Sequence, residues 1–212
     1  SVASASRTIV HYRDLPELPA EAFAAIDLDA FDWVHFEGRH VPALGDMLRR
    51  VRAHGGPRCS LEVEKPRPDI ETLFDLPDLL LFSRSYAEQQ GFAAAPELLA
   101  ARAAHTPAVC AWGEQGAWSR EPGEPARHAP ACPPARLVDT LAAGDVFNAA
   151  VVHAYAHGAD LTASTRAACA AAGAKCGRQG LHDLADLRPM APGASAGPAA
   201  GPAAGPVAGV RA

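Results

Sequence analysis

The sequence predicts an α/β protein with a mainly parallel sheet and helices on both faces of that sheet. Short apolar or β-branched runs, which are typical of buried strands, alternate with longer segments that have the spacing of amphipathic helices. Clusters of glycine and proline separate these segments, for example at 55–57 and 66–68. Alternation at this pitch is typical of βαβ units, whose ligands bind beyond the carboxyl ends of the strands. A ligand site is therefore expected where strands end and helices begin.

The predicted strands are short and rich in apolar or β-branched side chains. They span Thr8–Tyr12, Trp33–Phe36, Ser60–Val63, Leu79–Phe82, Ala108–Ala111 and Arg136–Val138. The predicted helices carry apolar residues at helical spacing. They span Pro19–Ile26, Val41–His54, Glu97–Ala104, Gly144–Ala156 and Leu161–Lys175. The proline-rich stretch Glu121–Pro134 is predicted to interrupt regular structure.

The charge balance argues against a general nucleic-acid binder. The 212 residues carry 19 basic and 24 acidic side chains, a net charge of −5, whereas nucleic-acid binders usually present a basic face. The sequence has no run of about 18 uncharged apolar residues, so no transmembrane helix is expected. The segment Ser1–Tyr12 lacks the basic and apolar regions of a signal peptide. We therefore expect a cytoplasmic protein with no nucleic-acid partner and no membrane partner.

The cysteines and histidines do not predict a metal site. The five cysteines show no C-x-x-C spacing, which fits neither a disulfide scaffold nor a zinc ribbon and favours reduced thiols. His153 and His157 are four residues apart, so they could share a helix face as metal ligands do. No carboxylate stands beside them in a metalloprotease pattern, which favours a pair of ordinary surface or core histidines.

The last residues differ in composition from the rest of the chain. Residues 191–212 contain nine alanines, five glycines and four prolines, with a Gly-Pro step that recurs every four residues. Proline breaks the helix that alanine favours, and almost no large apolar side chain remains to be buried. Residues 189–212 are therefore predicted to be a disordered tail without a site.

The most informative segment runs from Val138 to Ala149. A predicted strand ends at Val138, a turn of small residues follows, and a helix begins near Gly144. Such a turn leaves backbone N–H groups unpaired at a helix N-terminus, where an anion binds favourably. Asp145, in the first helical turn, could accept a proton from a hydroxyl that attacks a bound phosphoryl group. Asp139 and Thr140, at the end of the predicted strand, could orient the turn or position a hydrated metal. The alternative is an ordinary turn followed by an aspartate that suits the helix dipole.

Residues 139–145, DTLAAGD, resemble the signature D-T-x-G-A-G-D of the ribokinase-like carbohydrate kinases. Further segments are similar to the branch of that family that phosphorylates ketohexoses, in the same order and spacing over roughly residues 4–185. They are Ser6–Val10, Phe36–Arg39, Leu61–Arg67, Cys110–Trp112 and Lys175–Gly177. The resemblance implies a ribokinase-like three-layer α/β/α fold. It also implies ATP-dependent phosphorylation of a ketohexose, fructose to fructose 1-phosphate.

The resemblance also implies roles for individual residues. Asp145 corresponds to the catalytic base. The anion hole around the transferred phosphoryl corresponds to the backbone of Ala142, Ala143 and Gly144. In the ATP site, Arg7 corresponds to a basic residue near the nucleotide phosphates. The loop that lines this site corresponds to Gly113, Glu114, Gln115 and Gly116. The walls of the adenine pocket correspond to Pro133, Pro134 and Cys169. The implied cofactors are ATP, Mg²⁺ without a protein ligand that can be named, and a monovalent cation.

Ordinary structural roles are the alternatives for several of these residues. Arg7 could be a solvated edge residue, and Gly113 and Gly116 could serve only as turn glycines. Cys169 could equally be a packed helix residue, since a free cysteine behaves as a small hydrophobe. The charged residues Glu62, Glu64, Lys65 and Arg67 usually form a solvated edge, although in this family they lie near the nucleotide side.

The chain departs from the family pattern in two respects. Ala142 stands where the family has glycine, which costs on the order of 1 kcal/mol or more if φ is positive there and almost nothing if φ is negative. The resemblance also begins partway through the family's chain. Residues 1–188 are therefore expected to be the nucleotide-binding part of a kinase domain, truncated at its N-terminus and without the β lid and the sugar-contacting residues.

Three hypotheses follow for the function of the chain. The first is an ATP-dependent ketohexose kinase whose full-length form is a homodimer, this chain being monomeric or unstable by itself. The second is a catalytically impaired module that binds nucleotide or pairs with a full-length kinase. The third is a product without function.

Overall fold

Four parallel strands and one antiparallel hairpin form a six-stranded sheet in the computed structural model, which describes residues 12 and 14–181. The strands follow one another across the sheet in chain order. The parallel strands are β1 (Trp33–Glu37), β2 (Arg58–Val63), β3 (Leu79–Ser83) and β4 (Ala108–Ala111). The hairpin strands β5 (Ala117–Arg120) and β6 (Arg127–Ala129) extend the sheet from β4.

Helices cover both faces of this sheet. On one face lie α1 (Ala20–Ala24), α2 (Val41–His54), α3 (Arg84–Gln89) and α4 (Ala95–Arg102). On the other face lie α5 (Ala143–Ala156) and α6 (Leu161–Cys176). Short 3₁₀ turns occur at Leu28–Ala30, Ile70–Leu73 and Gly113–Gln115. None of the helices in the described part of the chain is long and apolar enough to span a bilayer.

Strand β3 shows why the sheet has two cores. All of its apolar residues are buried, but successive side chains point to opposite faces of a strand. Leu80 and Phe82 belong to the core under α1–α4, whereas Leu79 and Leu81 belong to the core under α5 and α6. This continuous apolar run is typical of a parallel strand that helices cover on both sides. The predicted three-layer α/β/α arrangement is confirmed.

Local signals set the ends of the helices. Helix α2 begins with Pro42 in its first turn and ends at Gly55, whose φ of 72° suits glycine. Helix α6 begins after Asp160, whose side chain accepts a hydrogen bond from the Ala163 N–H at 2.7 Å. These signals are readable in the sequence, and the bounds predicted for both helices agree with the structure to within one residue.

Some predicted elements are wrong or lie outside the described residues. Arg136–Val138 is not a strand, because the Val138 and Asp139 N–H groups donate to the Cys176 carbonyl at 2.8 and 3.2 Å instead of joining the sheet. The stretch predicted to interrupt regular structure contains β6. The predicted strand Thr8–Tyr12, apart from Tyr12, and the predicted tail 189–212 lie outside the described residues.

Candidate functional site

The N-terminus of α5 presents unpaired backbone donors. The first intrahelical bond runs from the Val146 N–H to the Ala142 carbonyl at 3.0 Å, and the Ala143 N–H donates to the Thr140 carbonyl at 3.3 Å. The N–H groups of Ala142, Gly144 and Asp145 donate to no acceptor among residues 14–181. A Cβ added at Gly144 would have no heavy atom within 4 Å, so the space beside this turn is open. This arrangement can bind an anion.

Ala142 adopts the left-handed conformation, with φ of 60° and ψ of 14°. The structure thereby selects the strained alternative at this position. A non-glycine residue in this region costs roughly 1–2 kcal/mol relative to a right-handed conformation. Ala142 is the residue at which the backbone turns from the loop into α5. Strained backbone conformations often occur at functional sites.

Asp139 orients the turn before Ala142. Its Oδ1 accepts a hydrogen bond from the Leu141 N–H at 2.9 Å. Its Oδ2 accepts from Lys175 Nζ at 2.8 Å and from the Gly180 N–H at 2.9 Å. These donors, the Lys175 ammonium first among them, lower the pKa of the Asp139 carboxyl to about 2. Of the two roles expected for Asp139, the geometry supports the orienting one.

A cavity of about 360 Å³ lies between the α5 N-terminus and the carboxyl ends of β1, β2 and β3. The turn contributes Ala142, Ala143, Gly144 and Asp145, and Asp145 is exposed to solvent. The strand ends contribute further residues, none of which was predicted as a site residue from the sequence. These are Glu37, Gly38, Arg39, Glu62, Glu64, Lys65, Arg67 and Ser83. Their position at or shortly after the ends of predicted strands was the signal that could have placed them in the site.

Charges of both signs surround this cavity. Arg39 forms an ion pair with Glu37, which raises the pKa of the Arg39 guanidinium. Lys65 Nζ lies 3.8 Å from a Glu64 carboxylate oxygen. Basic side chains suit phosphate groups, and carboxylates suit a hydrated Mg²⁺. Within the described ranges, no three histidine, cysteine or acidic residues lie close enough to hold a metal ion by themselves.

The predicted nucleotide loop is the turn of the β4–β5 hairpin. Gly113 and Gly116 have φ of 61° and 87°, which favour glycine. A Cβ at Gly116 would overlap the Ala129 carbonyl oxygen and lie 2.6 Å from the Ala131 nitrogen. The backbone therefore requires glycine at 116 and favours it at 113, which agrees with their alternative role as turn glycines. Glu114 and Gln115 lie between them in the 3₁₀ turn and are exposed.

The residues predicted to wall an adenine pocket pack beside α6. A Cβ at Gly177 would lie 3.0 Å from Pro134 Cβ, and Pro133 is exposed next to it. The buried Cys169 thiol donates to the Ala129 carbonyl at 3.7 Å. Burial raises the pKa of this thiol to about 11, which is typical of a packed cysteine rather than a reactive one.

The predicted site residues therefore form two groups. Ala142, Ala143, Gly144 and Asp145 line the cavity. The hairpin turn 113–116, Pro133, Pro134 and Cys169 do not line it and gather around β5, β6 and α6. Arg84 lies between the two groups. It directly follows the cavity residue Ser83, and its guanidinium lies 5.6 Å from the ring centroid of Trp112, the residue directly before the hairpin turn. Arg7 lies outside the described residues.

The paired histidines lie at the C-terminal end of α5, His153 in its last turn and His157 directly after it. The His153 and His157 rings lie 4.2 Å apart, centroid to centroid, and are tilted by 35°. Nδ1 of His157 is 2.7 Å from the His153 carbonyl oxygen. That bond occupies one ring nitrogen and agrees with the expectation of ordinary surface histidines.

Known proteins are similar to this chain in sequence and in fold. Residues 6–186 match the family of pfkB carbohydrate kinases. Ketohexokinase of Mus musculus is 37% identical over 194 residues, which cover 86% of this chain and 65% of the mouse protein.

Two solved structures have the same ribokinase-like fold. Ribokinase of Arabidopsis thaliana, complexed with ribose and ATP, has a TM-score of 0.61 at 21% identity over 79% of this chain and 57% of its own. A candidate ribokinase II from E. coli, in complex with ATP and Mg²⁺, has a TM-score of 0.64 at 21% identity over 81% of this chain and 62% of its own. The chain thus spans less than two thirds of each of these relatives.

Proposed function

Because the chain belongs to the pfkB family of carbohydrate kinases, we propose that it transfers a phosphoryl group from ATP to a ketohexose. The proposed reaction converts fructose to fructose 1-phosphate. The observation that carries this proposal is the α5 N-terminus. Unpaired N–H groups and the Asp145 carboxylate face one cavity there. The 37% identity to mouse ketohexokinase supports the choice of sugar.

In this proposal the turn binds the phosphoryl group that is transferred. The N–H groups of Ala142, Gly144 and Asp145 point toward developing negative charge, and the α5 dipole adds to their effect. Ala143 contributes through its position in the turn, because its own N–H is paired with Thr140. Fixed donors of this kind stabilise a transition state without reorganising.

Asp145 is the proposed general base. It accepts the proton of the sugar's primary hydroxyl as that oxygen attacks the γ-phosphorus, and the bond from phosphorus to the β,γ-bridging oxygen breaks to release ADP. Bound Mg²⁺ would neutralise charge on the phosphate oxygens, and Glu62 and Glu64 are the residues that would hold it through water. Lys65 and Arg67 supply the balancing positive charge on the same edge of the cavity.

The nucleotide is proposed to extend from this cavity toward α6. Its base would lie between the turn Gly113–Gly116 and the wall of Pro133, Pro134 and Cys169. A role for Arg7 near the phosphates is proposed from the family resemblance alone. A requirement for a monovalent cation and a homodimeric full-length form are proposed from the family resemblance alone. A cytoplasmic location is proposed from the sequence.

The test is ATP-dependent phosphorylation of fructose by the chain and by its Asp145→Asn variant. We expect turnover to fall about 10²- to 10⁴-fold in this variant, as is typical when a general base is lost. Glu97→Gln is the matched control, because it removes a first-turn carboxylate of α4 away from the cavity, and it should leave turnover unchanged. Equal turnover in wild type and Asp145→Asn would overturn the proposed mechanism.

A second candidate is a module that binds nucleotide without turnover. The exposure of Asp145 favours it, because a base that works in phosphoryl transfer is usually shielded from water. Titration calorimetry with ATP and Mg²⁺ separates the two. Binding of ATP without fructose phosphorylation would support the module, and binding with turnover would support the kinase.

A further inference from the structure

Lys175 is fully buried in the last turn of α6. Its ammonium donates to two oxygens of Asp139, the carbonyl oxygen and Oδ2, both at 2.8 Å. Lysine is almost never fully buried unless it is paired, because desolvation of the ammonium is costly. Lys175 is the one buried lysine among the described residues, and its partner Asp139 lies 36 residues earlier in the sequence. The proposed phosphoryl transfer assigns Lys175 no role.

The contacts of Lys175 fasten the turn before α5 to the end of α6. Asp139, which Lys175 holds, also accepts hydrogen bonds from the N–H groups of Leu141 and Gly180 at 2.9 Å each. The N–H groups of Val138 and Asp139 donate to the Cys176 carbonyl, the residue after Lys175. Apart from the bond from Leu141, which lies within the turn, these bonds join one short stretch of the turn to the end of α6 and the residues just after it.

Apolar packing does little to hold this turn. Leu137 is 66% exposed, Val138 46% and Leu141 62%. The turn nevertheless carries Ala142 in the left-handed region, a conformation that persists only where the surroundings impose it. Polar contacts, those of Asp139 among them, therefore hold this stretch of backbone more than apolar packing does.

We propose that Lys175 is a positioning residue for the anion-binding turn, acting through Asp139 and not through contact with the substrate. The positive charge is what this role requires, because it holds two oxygens of one residue at once and balances the carboxylate. This inference rests on the proposed function to the extent that the turn binds the γ-phosphoryl group. Loss of the charge should therefore weaken ATP binding more than ADP binding.

The test compares ATP and ADP affinities, each with Mg²⁺, for wild type and Lys175→Met. Methionine keeps an unbranched side chain of similar length and removes the charge. We expect the preference for ATP over ADP to fall about 10-fold or more, in the range of a lost charged hydrogen bond. Arg102→Met is the matched control, because it removes the partly buried ion pair with Glu71 away from the cavity. It should lower the unfolding temperature and leave the ATP-to-ADP preference unchanged.

Chemical rescue supplies a readout that a merely structural role would not move. Lys175→Ala leaves a space that n-propylammonium can fill with a positive charge, whereas n-propanol fills it without one. We expect propylammonium, and not propanol, to restore the preference for ATP. If Lys175→Met does not fold, Asp139→Asn tests the same contact from its other side and should show the same loss of preference.

The outcomes separate this inference from the proposed function. A wild-type chain that prefers ATP, with an unchanged preference in folded Lys175→Met, would overturn the role of Lys175 and leave the kinase proposal standing. Equal rescue by propylammonium and propanol would show filling of space alone and would also overturn it. A wild-type chain that binds neither nucleotide would contradict the proposed function, and the inference would fall with it.

Discussion

Gly173 in α6 lies directly against the backbone of Cys132. A Cβ added at Gly173 would overlap the Cys132 carbonyl oxygen and lie 2.8 Å from its carbonyl carbon. Glycine inside a helix costs about 1 kcal/mol relative to alanine, so its presence here needs a reason. The reason is the close approach of the segment that carries Pro133 and Pro134, which reaches α6 only where a side chain is missing.

Gly173→Ala should destabilise the protein even though alanine favours helices. The added methyl group meets backbone, which cannot move aside as a side chain can, so we expect the free energy of unfolding to fall by about 1–3 kcal/mol. Urea unfolding measures this change. The control is Gly45→Ala in α2, whose Cβ would meet only the side chains of Arg49 and Leu73, both at 3.2 Å. A stability of Gly173→Ala at or above that of Gly45→Ala would contradict the prediction.

Ala142→Gly should stabilise the protein. Glycine adopts a φ of 60° without the steric cost that alanine has there, and part of the gain is offset by the greater freedom of glycine in the unfolded chain. We expect the free energy of unfolding to rise by about 1 kcal/mol, measured by urea unfolding. Asp69→Gly is the control at the other non-glycine residue with positive φ in the described chain. It should gain less, since aspartate tolerates this conformation better than alanine. Lower stability of Ala142→Gly than of wild type would refute the role of strain.

Gly38→Ala should disturb the edge of the cavity. The Gly38 N–H donates to the Glu62 carbonyl at 2.8 Å, and an added Cβ would lie 2.7 Å from both that oxygen and Ile70 Cδ1. We expect a loss of about 1–3 kcal/mol in the free energy of unfolding. Adding Ile70→Val removes only the side-chain clash, so the double variant should recover part of the loss relative to Ile70→Val alone. Full recovery would show that the contact with Glu62 does not matter.

Acid should loosen the turn that Asp139 anchors. The pKa of Asp139 is lowered to about 2 in the folded protein, chiefly by the hydrogen bond from Lys175, whereas an aspartate in an unfolded chain titrates near 4. A group with a lower folded pKa stabilises the fold fully above its unfolded pKa. That stabilisation is lost as the pH falls from about 4 toward 2.

The unfolding temperature as a function of pH measures this effect. The difference between wild type and Asp139→Asn should be constant above about pH 5 and should shrink between about pH 4 and pH 2. Parallel curves for the two proteins across this range would mean that ionisation of the Asp139 carboxyl does not contribute to the stability of the fold.

Much of the site could be predicted because its signals are local. Short stretches of sequence specify the small residues before α5, Asp145 in the first turn of α5, and the strand β4. The structure has all three where they were predicted. The residues Glu37, Arg39 and Ser83 were not predicted as site residues. They reach the cavity because parallel strands end at one edge of the sheet, which no single stretch specifies.

The sequence by itself determined the alternation of strands and helices, the two-sided burial of β3, and the ends of α2 and α6, since each depends on side-chain type and spacing over a few residues. The tertiary structure alone decided that Arg136–Val138 is no strand, because the Cys176 carbonyl takes the N–H bonds that a sheet would have needed. It also decided the left-handed conformation of Ala142, which alanine would not adopt by preference. Contacts with residues far along the chain, the pairing of Lys175 with Asp139 first among them, impose that backbone shape on a sequence that does not favour it.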